Sequence, residues 1–174
     1  SNGLYGTGWD WVIKAFELAR QYFPDSTKLM INDYNILRFT SNTTNYLTII
    51  NLLRERNLID GIGFQAHGDQ VNTTPVPTLR NNLNSLAATG LFVQVTEMDV
   101  DGQTDEQQLS EFKRVFPIFW EHPAVVGITL WGWRRGCYRD SDGVYLVDDR
   151  GAERPALQWL RTYIISPKAP KLVS

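Results

Sequence analysis

The sequence lacks the features that mark several large classes of protein. It has one cysteine, Cys137, so no disulfide can form within the chain, and its two histidines are too far from any further cysteine to form a zinc module. No basic run is longer than the pair Arg134-Arg135, and the formal net charge of −2 gives no positive surface for nucleic acid. No apolar run approaches the roughly 20 residues that a membrane-spanning helix needs. We therefore expect no nucleic-acid partner, no membrane partner and no bound metal.

The remaining composition is typical of a folded protein about one domain in size. The chain has 174 residues, of which 43% are hydrophobic and 21% are charged, as in ordinary globular proteins. Aromatic residues are frequent, with six Trp and seven Tyr. Single aromatic side chains usually fill a core, so only several of them at one place would indicate a binding surface. We assign residues 1–165 to a single folded unit and residues 166–174, with two prolines, to a tail or linker.

Short apolar segments alternate along the chain with segments of helical periodicity. The predicted strands cover residues 28–34, 59–65, 92–96 and 125–131. Helices are predicted at residues 9–22, 77–88 and 155–164, and around the apolar residues of 46–53 and 109–119. Thr104 and Gln107 have the spacing of a capping box, whereas Pro117 should kink or end its helix. Strands separated by about thirty residues with a helix between them form the βαβ repeat, which implies parallel strands.

Two α/β architectures are compatible with this repeat. A doubly wound open sheet would be complete at this length, but no glycine-rich phosphate loop follows any of the predicted strands. A (β/α)₈ barrel brings the carboxyl ends of all its strands to one shared site. All the predicted strands here end in polar or aromatic residues, which favours the barrel. A whole barrel needs about 250 residues, however, and this chain supplies only about four strands.

Candidate catalytic groups lie at the ends of the second and third predicted strands. Glu97 and Asp99 are two residues apart, so both side chains point to the same face while the strand continues. His67 follows the neighbouring strand at an equivalent height, together with Gln65. A histidine at that place could donate to a carboxylate and influence its ionisation. Acidic residues where a strand enters solvent, and a structural histidine, are the alternative interpretation.

Amide and aromatic groups lie at the ends of the first and fourth predicted strands. Tyr34 and Asn35 end the first strand, and Trp131 and Trp133 end the fourth. Aromatic faces can cover the apolar face of a sugar ring while amides and carboxylates bind its hydroxyl groups. The arginine pair after Trp133 could bind an acidic sugar decoration or could form ion pairs with Asp140 or Asp142. We favour the ion pairs.

Four segments in this order and spacing resemble glycoside hydrolase family 10, the endo-β-1,4-xylanases. They are LMINDYN (residues 29–35), DGIGFQAH (60–67), VTEMDV (95–100) and GITLWG (127–132). The resemblance extends from about residue 9 to residue 164. It implies that the chain is the carboxyl-terminal half of a (β/α)₈ TIM barrel, with about four parallel strands and intervening helices.

The resemblance also implies roles for individual residues. Glu97 would be the nucleophile of a retaining glycosidase, and His67 and Asp99 would form the network that keeps it ionised. Trp131 would line the subsite of the sugar under attack, and Tyr34 would be a platform on the leaving-group side. The implied substrate-binding residues are listed together: Tyr34, Asn35, Gln65, Trp131 and Trp133. No cofactor is implied, because a pair of carboxylates needs neither metal nor nucleotide.

One element of the family pattern is absent from the sequence. The acid/base glutamate of the family follows an asparagine upstream of the first predicted helix, and no Asn-Glu pair occurs in this chain. We therefore expect two partners: xylan or xylo-oligosaccharide, and the missing amino-terminal half of the barrel. An alternative is a non-catalytic half that binds xylan or serves assembly. The resemblance also implies a secreted, cell-surface or periplasmic location.

Overall fold

The structure is a computed structural model that describes residues 5–166. In that range the chain forms four strands, six α-helices and one short 3-10 helix. The strands are β1 (Met30–Asp33), β2 (Gly61–Ala66), β3 (Phe92–Met98) and β4 (Val125–Leu130). The helices are α1 (Asp10–Tyr22), α2 (Thr40–Arg54), α3 (Gly68–Val71), α4 (Val76–Ala87), α5 (Asp105–Trp120) and α6 (Pro155–Ile164), and the 3-10 helix is η1 (Asp140–Asp142). The predicted tail lies, apart from Ser166, outside the described residues.

The four strands form one sheet in the order β1-β2-β3-β4, and every neighbouring pair is parallel. This arrangement confirms the predicted fold class, since successive strands lie side by side with a helix in each crossover. β1 and β4 are the edges of the sheet. The inner strand β2 is almost entirely buried, whereas the edge strand β4 has only half-buried and exposed residues.

The main core lies between the sheet and its helices. Ile62 and Phe64 of β2 and Val95 of β3 are fully buried against this layer. Phe64 meets Phe119 of α5 edge to face, with ring centroids 5.5 Å apart, a geometry that aromatic pairs prefer. Burial of this apolar surface is the main force that holds the helices on the sheet.

The opposite face of the sheet carries polar side chains, and a glycine lies between them at its centre. Gly63 of β2 pairs with Asn32 of β1 and with Gln94 of β3. A Cβ atom at Gly63 would lie 2.9 Å from both Asn32 Oδ1 and Thr96 Cγ2. Glycine therefore permits the side chains of β1 and β3 to meet across β2, and Thr96 Oγ1 donates to Asn32 Oδ1 at 2.6 Å.

The helix boundaries confirm one prediction and correct another. Thr104 accepts from Gln107 N at 3.2 Å while the Gln107 side chain accepts from Thr104 N, which completes the capping box of α5. Pro117 is expected to kink or end this helix, and the second outcome is wrong, because α5 continues to Trp120 and Glu121 N donates to Pro117 O at 3.1 Å. Proline removes the bond that its own N–H would make and crowds the carbonyl group four residues before it, but it leaves the following turn able to form. Burial of neighbouring apolar side chains holds the last turn in place.

Candidate functional site

The carboxyl ends of β2 and β3 bring one histidine and two carboxylates together. The register between these strands shifts after Phe64, so that Gln65 pairs with Glu97. Such irregularities re-aim side chains and are frequent beside active sites. Past the end of β2, His67 turns toward the end of β3. Its Nδ1 atom lies 2.5 Å from Asp99 Oδ2, and its Nε2 atom lies 3.1 Å from Glu97 Oε2.

Burial makes these interactions strong. The Asp99 side chain is completely buried, that of His67 is 7% exposed and that of Glu97 is 19% exposed. Asp99 Oδ1 also accepts from the Gly68 N–H at 2.7 Å, which fixes the carboxylate from a second side. Burial opposes protonation of His67, but the hydrogen bond and charge of Asp99, together with those of Glu97, outweigh it and raise the pKa of His67. A protonated imidazole can donate to both carboxylates at once.

The rings of Tyr138 and Trp131 form an aromatic wall beside this group. The Tyr138 ring lies 5.3 Å from the His67 ring, and Trp131 meets Tyr138 edge to face at 6.4 Å. Trp131 is 41% exposed and Trp133 is 50% exposed. Trp131 N donates to Met98 O at 2.8 Å, so the wall is tied to the end of β3. The Trp131 ring thus meets Tyr138, which lies beside His67, and part of the Trp131 surface remains exposed.

The remaining sequence-predicted residues, apart from Trp133, lie at the ends of β1 and β2. Tyr34 is 65% exposed and, with Asn35, lines an open cavity of about 420 Å³ between the end of β1 and helix α2. Asn35 has a left-handed backbone with φ of 61°, and its backbone N–H donates to Gln70. Its Oδ1 atom is buried without a hydrogen-bond partner among the described residues. Gln65 is half-buried next to Glu97 in the strand pairing.

The loop after β4 contributes residues that the sequence did not single out. The expected ion pairs of Arg134 or Arg135 with Asp140 or Asp142 are wrong, because Arg135 Nη1 lies 3.8 Å from Asp149 and Asp142 accepts from Arg139 Nε. The loop turns back at Arg139, which has a left-handed φ of 44°. Tyr138 and Arg139 lie in a stretch without periodicity, and an aromatic-basic pair shortly after two tryptophans was the only signal for them.

The described residues match neither the pattern of a metal site nor that of a membrane-spanning helix. Among residues 5–166, no group of three or more His, Cys, Asp or Glu side chains is arranged to hold a metal ion. In the same part of the chain, no helix is both long and apolar enough to cross a membrane. The chemistry that the described residues offer is that of a buried carboxylate network beside an aromatic surface.

Comparison with known proteins places this arrangement in one family. The model of the family described as glycosyl hydrolase family 10 matches residues 1–163. Endo-1,4-beta-xylanase B of Cellvibrio japonicus is 37% identical over 155 residues, which cover 88% of this chain and 24% of that protein.

Solved structures give the same result for the fold. Native xylanase 10B from Thermotoga maritima superposes with a TM-score of 0.75 at 29% identity, over 89% of this chain and 52% of that one. Xylanase 10B from Thermotoga petrophila RKU-1, solved in complex with xylobiose, superposes with a TM-score of 0.74 at 26% identity, over 89% of this chain and 51% of that one. The chain therefore spans about half the length of these structures and about a quarter of the Cellvibrio protein.

Proposed function

Because this chain belongs to glycosyl hydrolase family 10, we propose that it is the carboxyl-terminal portion of an endo-1,4-β-xylanase with Glu97 as its nucleophile. The single observation that carries the proposal is the pairing of Glu97 and Asp99 with the two ring nitrogens of His67. A carboxylate that accepts from a protonated imidazole stays ionised. An ionised carboxylate is what attack on an anomeric carbon requires.

The proposed reaction has two steps. In the first, a Glu97 oxygen forms a bond to the anomeric carbon and the bond from that carbon to the glycosidic oxygen breaks. The departing oxygen takes a proton from an acid/base carboxyl group that the amino-terminal half of the barrel supplies. In the second step, water gives a proton to that same group and attacks the anomeric carbon, which frees Glu97 and retains the configuration.

His67 and Asp99 support this reaction without contacting the sugar. Asp99 is held by the Gly68 N–H and binds His67 Nδ1, which directs His67 Nε2 at Glu97. Since Glu97 uses Oε2 for His67, its Oε1 atom is available for attack. The fixed imidazole keeps Glu97 in one orientation, and orientation is a large part of catalytic power.

Exposed aromatic rings support a sugar polymer as substrate. Trp131 and Trp133 are exposed in the loop after β4, and the exposed Tyr34 lines the cavity at the end of β1. Rings spread over several strand ends suit a chain of sugars better than a single sugar. The xylanase 10B of Thermotoga petrophila is described with xylobiose bound, which supports a xylo-oligosaccharide here.

The missing half of the barrel is the proposed protein partner. β1 and β4 each have one neighbour in the sheet, so their outer edges carry unpaired backbone groups. Such edges pair readily with another chain. The partial coverage of relatives is consistent with this partner. We call the protein formed with that half the completed barrel.

The test uses a 2-deoxy-2-fluoro-xylobioside with a dinitrophenolate leaving group, which departs without acid assistance. Intact mass and peptide mapping of the completed barrel should show one glycosyl adduct on Glu97, and the Glu97→Gln variant should show none. An adduct on the 174-residue chain alone would mean that the chain orients its nucleophile without the other half. Binding of xylohexaose without an adduct in the completed barrel would contradict the proposal and support a non-catalytic binding half.

A further inference from the structure

Arg139 is the centre of an ion-pair network at the carboxyl ends of the strands. Its Nη2 atom lies 3.1 Å from Asp101 Oδ2, and its Nε atom lies 3.0 Å from Asp142 Oδ2. Its Nη1 atom lies 3.5 Å from both Asp99 Oδ1 and Asp69 Oδ1. One guanidinium group, 21% exposed, thus faces four carboxylates.

The four carboxylates come from separate parts of the chain. Asp69 belongs to α3, Asp99 and Asp101 follow β3, and Asp142 belongs to η1. Arg139 reaches all of them from a backbone conformation, φ 44° and ψ 45°, that residues other than glycine rarely adopt. A strained conformation persists only where the surrounding contacts hold it, and such residues concentrate at functional sites.

Arg139 is connected to the nucleophile through two buried side chains. Asp99 faces Arg139 with Oδ1 and His67 with Oδ2, and His67 in turn faces Glu97. Asp99 has no exposed side-chain surface, and charges interact more strongly where water is excluded. The positive charge of Arg139 beside Asp99 therefore acts through Asp99 and His67 on Glu97.

Carboxylates outnumber positive charges around His67, so the charge of Arg139 offsets part of a negative excess. The groups that face His67 and its partners are Glu97 and Asp99 from β3 and its end, Tyr138 and Arg139 from the loop after β4, and the outer carboxylates of the Arg139 network. Burial raises the pKa of Asp101, and the charge and hydrogen bond of Arg139 oppose that rise. Burial disfavours the charge of Arg139, but the surrounding carboxylates outweigh it and raise its pKa.

We propose that Arg139 is a positioning residue that keeps His67 and Asp99 aligned on Glu97, by offsetting the negative charge around His67 and holding Oδ1 of Asp99. This role rests on the proposed function, since it concerns the nucleophile of that reaction. Within the described residues, no hydrogen bond or ion pair joins Arg139 directly to Glu97. It also ties the loop that carries Tyr138 to the ends of β2 and β3, so that the aromatic wall and the nucleophile share one anchor.

The test measures how pH affects formation of the glycosyl-enzyme in the completed barrel. A Glu97 oxygen bonds to the anomeric carbon of the fluorinated dinitrophenyl xylobioside, and dinitrophenolate leaves with its electron pair. No proton is transferred, so the acid limb of the labelling rate reports the ionised fraction of the nucleophile and its network. The variants are Arg139→Gln and Arg139→Lys, with Arg135→Gln as the control. Arg135 is in the same loop, and its pair with Asp149 is exposed.

Loss of the positive charge favours protonation of nearby carboxylates, so Arg139→Gln should move the acid limb upward by about 0.5 to 1 pH unit. Arg139→Lys keeps the charge and should move the limb less, with a slower labelling rate because the multiple contacts are lost. Arg135→Gln should leave the profile unchanged. Asp101→Asn removes a carboxylate that shares Arg139 with Asp99, so it should move the acid limb to lower pH. If Arg139→Gln fails to fold, this variant provides the test with Arg139 intact.

An unchanged acid limb in Arg139→Gln, or equal shifts in the Gln and Lys variants, would overturn the role of Arg139. If Arg139→Gln misfolds, an acid limb of Asp101→Asn that is unchanged or lies at higher pH would overturn the role of Arg139 instead. A parent protein that is never labelled on Glu97 would contradict the proposed function. Labelling of the parent with an unshifted variant profile would contradict only the inference about Arg139.

Discussion

Thr96 of β3 donates its hydroxyl hydrogen to Asn32 Oδ1 of β1 at 2.6 Å, although the strand β2 lies between them. The contact exists because β2 has Gly63 at this level. Thr96 Oγ1 also lies 3.1 Å from Phe64 O, a second acceptor for the same hydrogen, so the hydroxyl contacts both β1 and β2. The residue after Thr96 is Glu97, and this bridge therefore fixes the backbone from which the proposed nucleophile projects.

Replacement of Gly63 by alanine should loosen this bridge. The new methyl group would lie 2.9 Å from both Asn32 Oδ1 and Thr96 Cγ2, so the side chains must shift. Overpacking of this kind typically costs about 1 to 3 kcal/mol. Urea unfolding of the chain in dilute solution measures the loss. Gly127→Ala on β4 is the matched control, since a Cβ there meets no atom within 4 Å. Equal stability of the two variants would contradict the bridge.

Replacement of Glu97 by glutamine should abolish turnover. Glutamine keeps the shape but cannot attack the anomeric carbon, and loss of a nucleophile lowers kcat by about four orders of magnitude or more. Hydrolysis of xylohexaose by the completed barrel measures the effect. Glu55→Gln, an exposed change at the carboxyl end of α2, should leave the rate as it is. Near-normal turnover by the Glu97 variant would rule out its role.

The two histidines should affect stability with opposite pH dependence. Asp99 and Glu97 raise the pKa of His67 against the effect of burial. Its contribution is therefore fully present below the unfolded-state pKa of about 6.5 and is lost as the pH rises through the folded-state pKa. Burial, with a smaller effect of Arg80, lowers the pKa of His122. Its contribution is present above the unfolded-state pKa and is lost as the pH falls through the folded-state pKa.

Unfolding of His67→Asn and His122→Asn at about pH 6 and about pH 9 measures these contributions. Relative to the parent protein, the His67 variant should lose more stability at the lower pH. The His122 variant should lose more at the higher pH, which makes each histidine the control for the other. If both variants lost more stability at the higher pH, the contacts of Asp99 and Glu97 would not hold a charged imidazole.

The aromatic wall should contribute to substrate affinity. Each lost stacking contact is worth on the order of 1.4 kcal/mol, so Trp131→Ala should lower kcat/KM for xylohexaose about tenfold or more. Trp131→Phe and Tyr34→Phe keep a ring face and should lose less than the alanine variants. Tyr22→Ala is the control, because this exposed residue ends α1 at the opposite end of the strands. An alanine effect no larger than that of Tyr22→Ala would exclude a sugar platform at Trp131.

Much of the fold could be predicted because it depends on local pattern. The alternation of apolar segments with helical periodicity placed all the strands of the described residues within a few positions. The capping box of Thr104 and Gln107 could also be predicted, since its two partners are three residues apart in the sequence. Pro117 was misjudged because the cost of one lost backbone bond is local, whereas the burial that outweighs it depends on tertiary packing.

The site divides in the same way. Chain order and residue type determined that His67, Glu97 and Asp99 lie at the ends of neighbouring parallel strands, because a parallel sheet brings its carboxyl ends to one edge. The family resemblance implies a network of these three residues, but only the tertiary structure decided which of their atoms meet and that Arg139 closes the network. The loop from residue 131 to 154 has no periodicity, and the direction of Arg139 depends on a left-handed turn and on charges from distant segments. These contacts join segments that are far apart in the sequence and meet only in the folded chain, so no local pattern of residues encodes them.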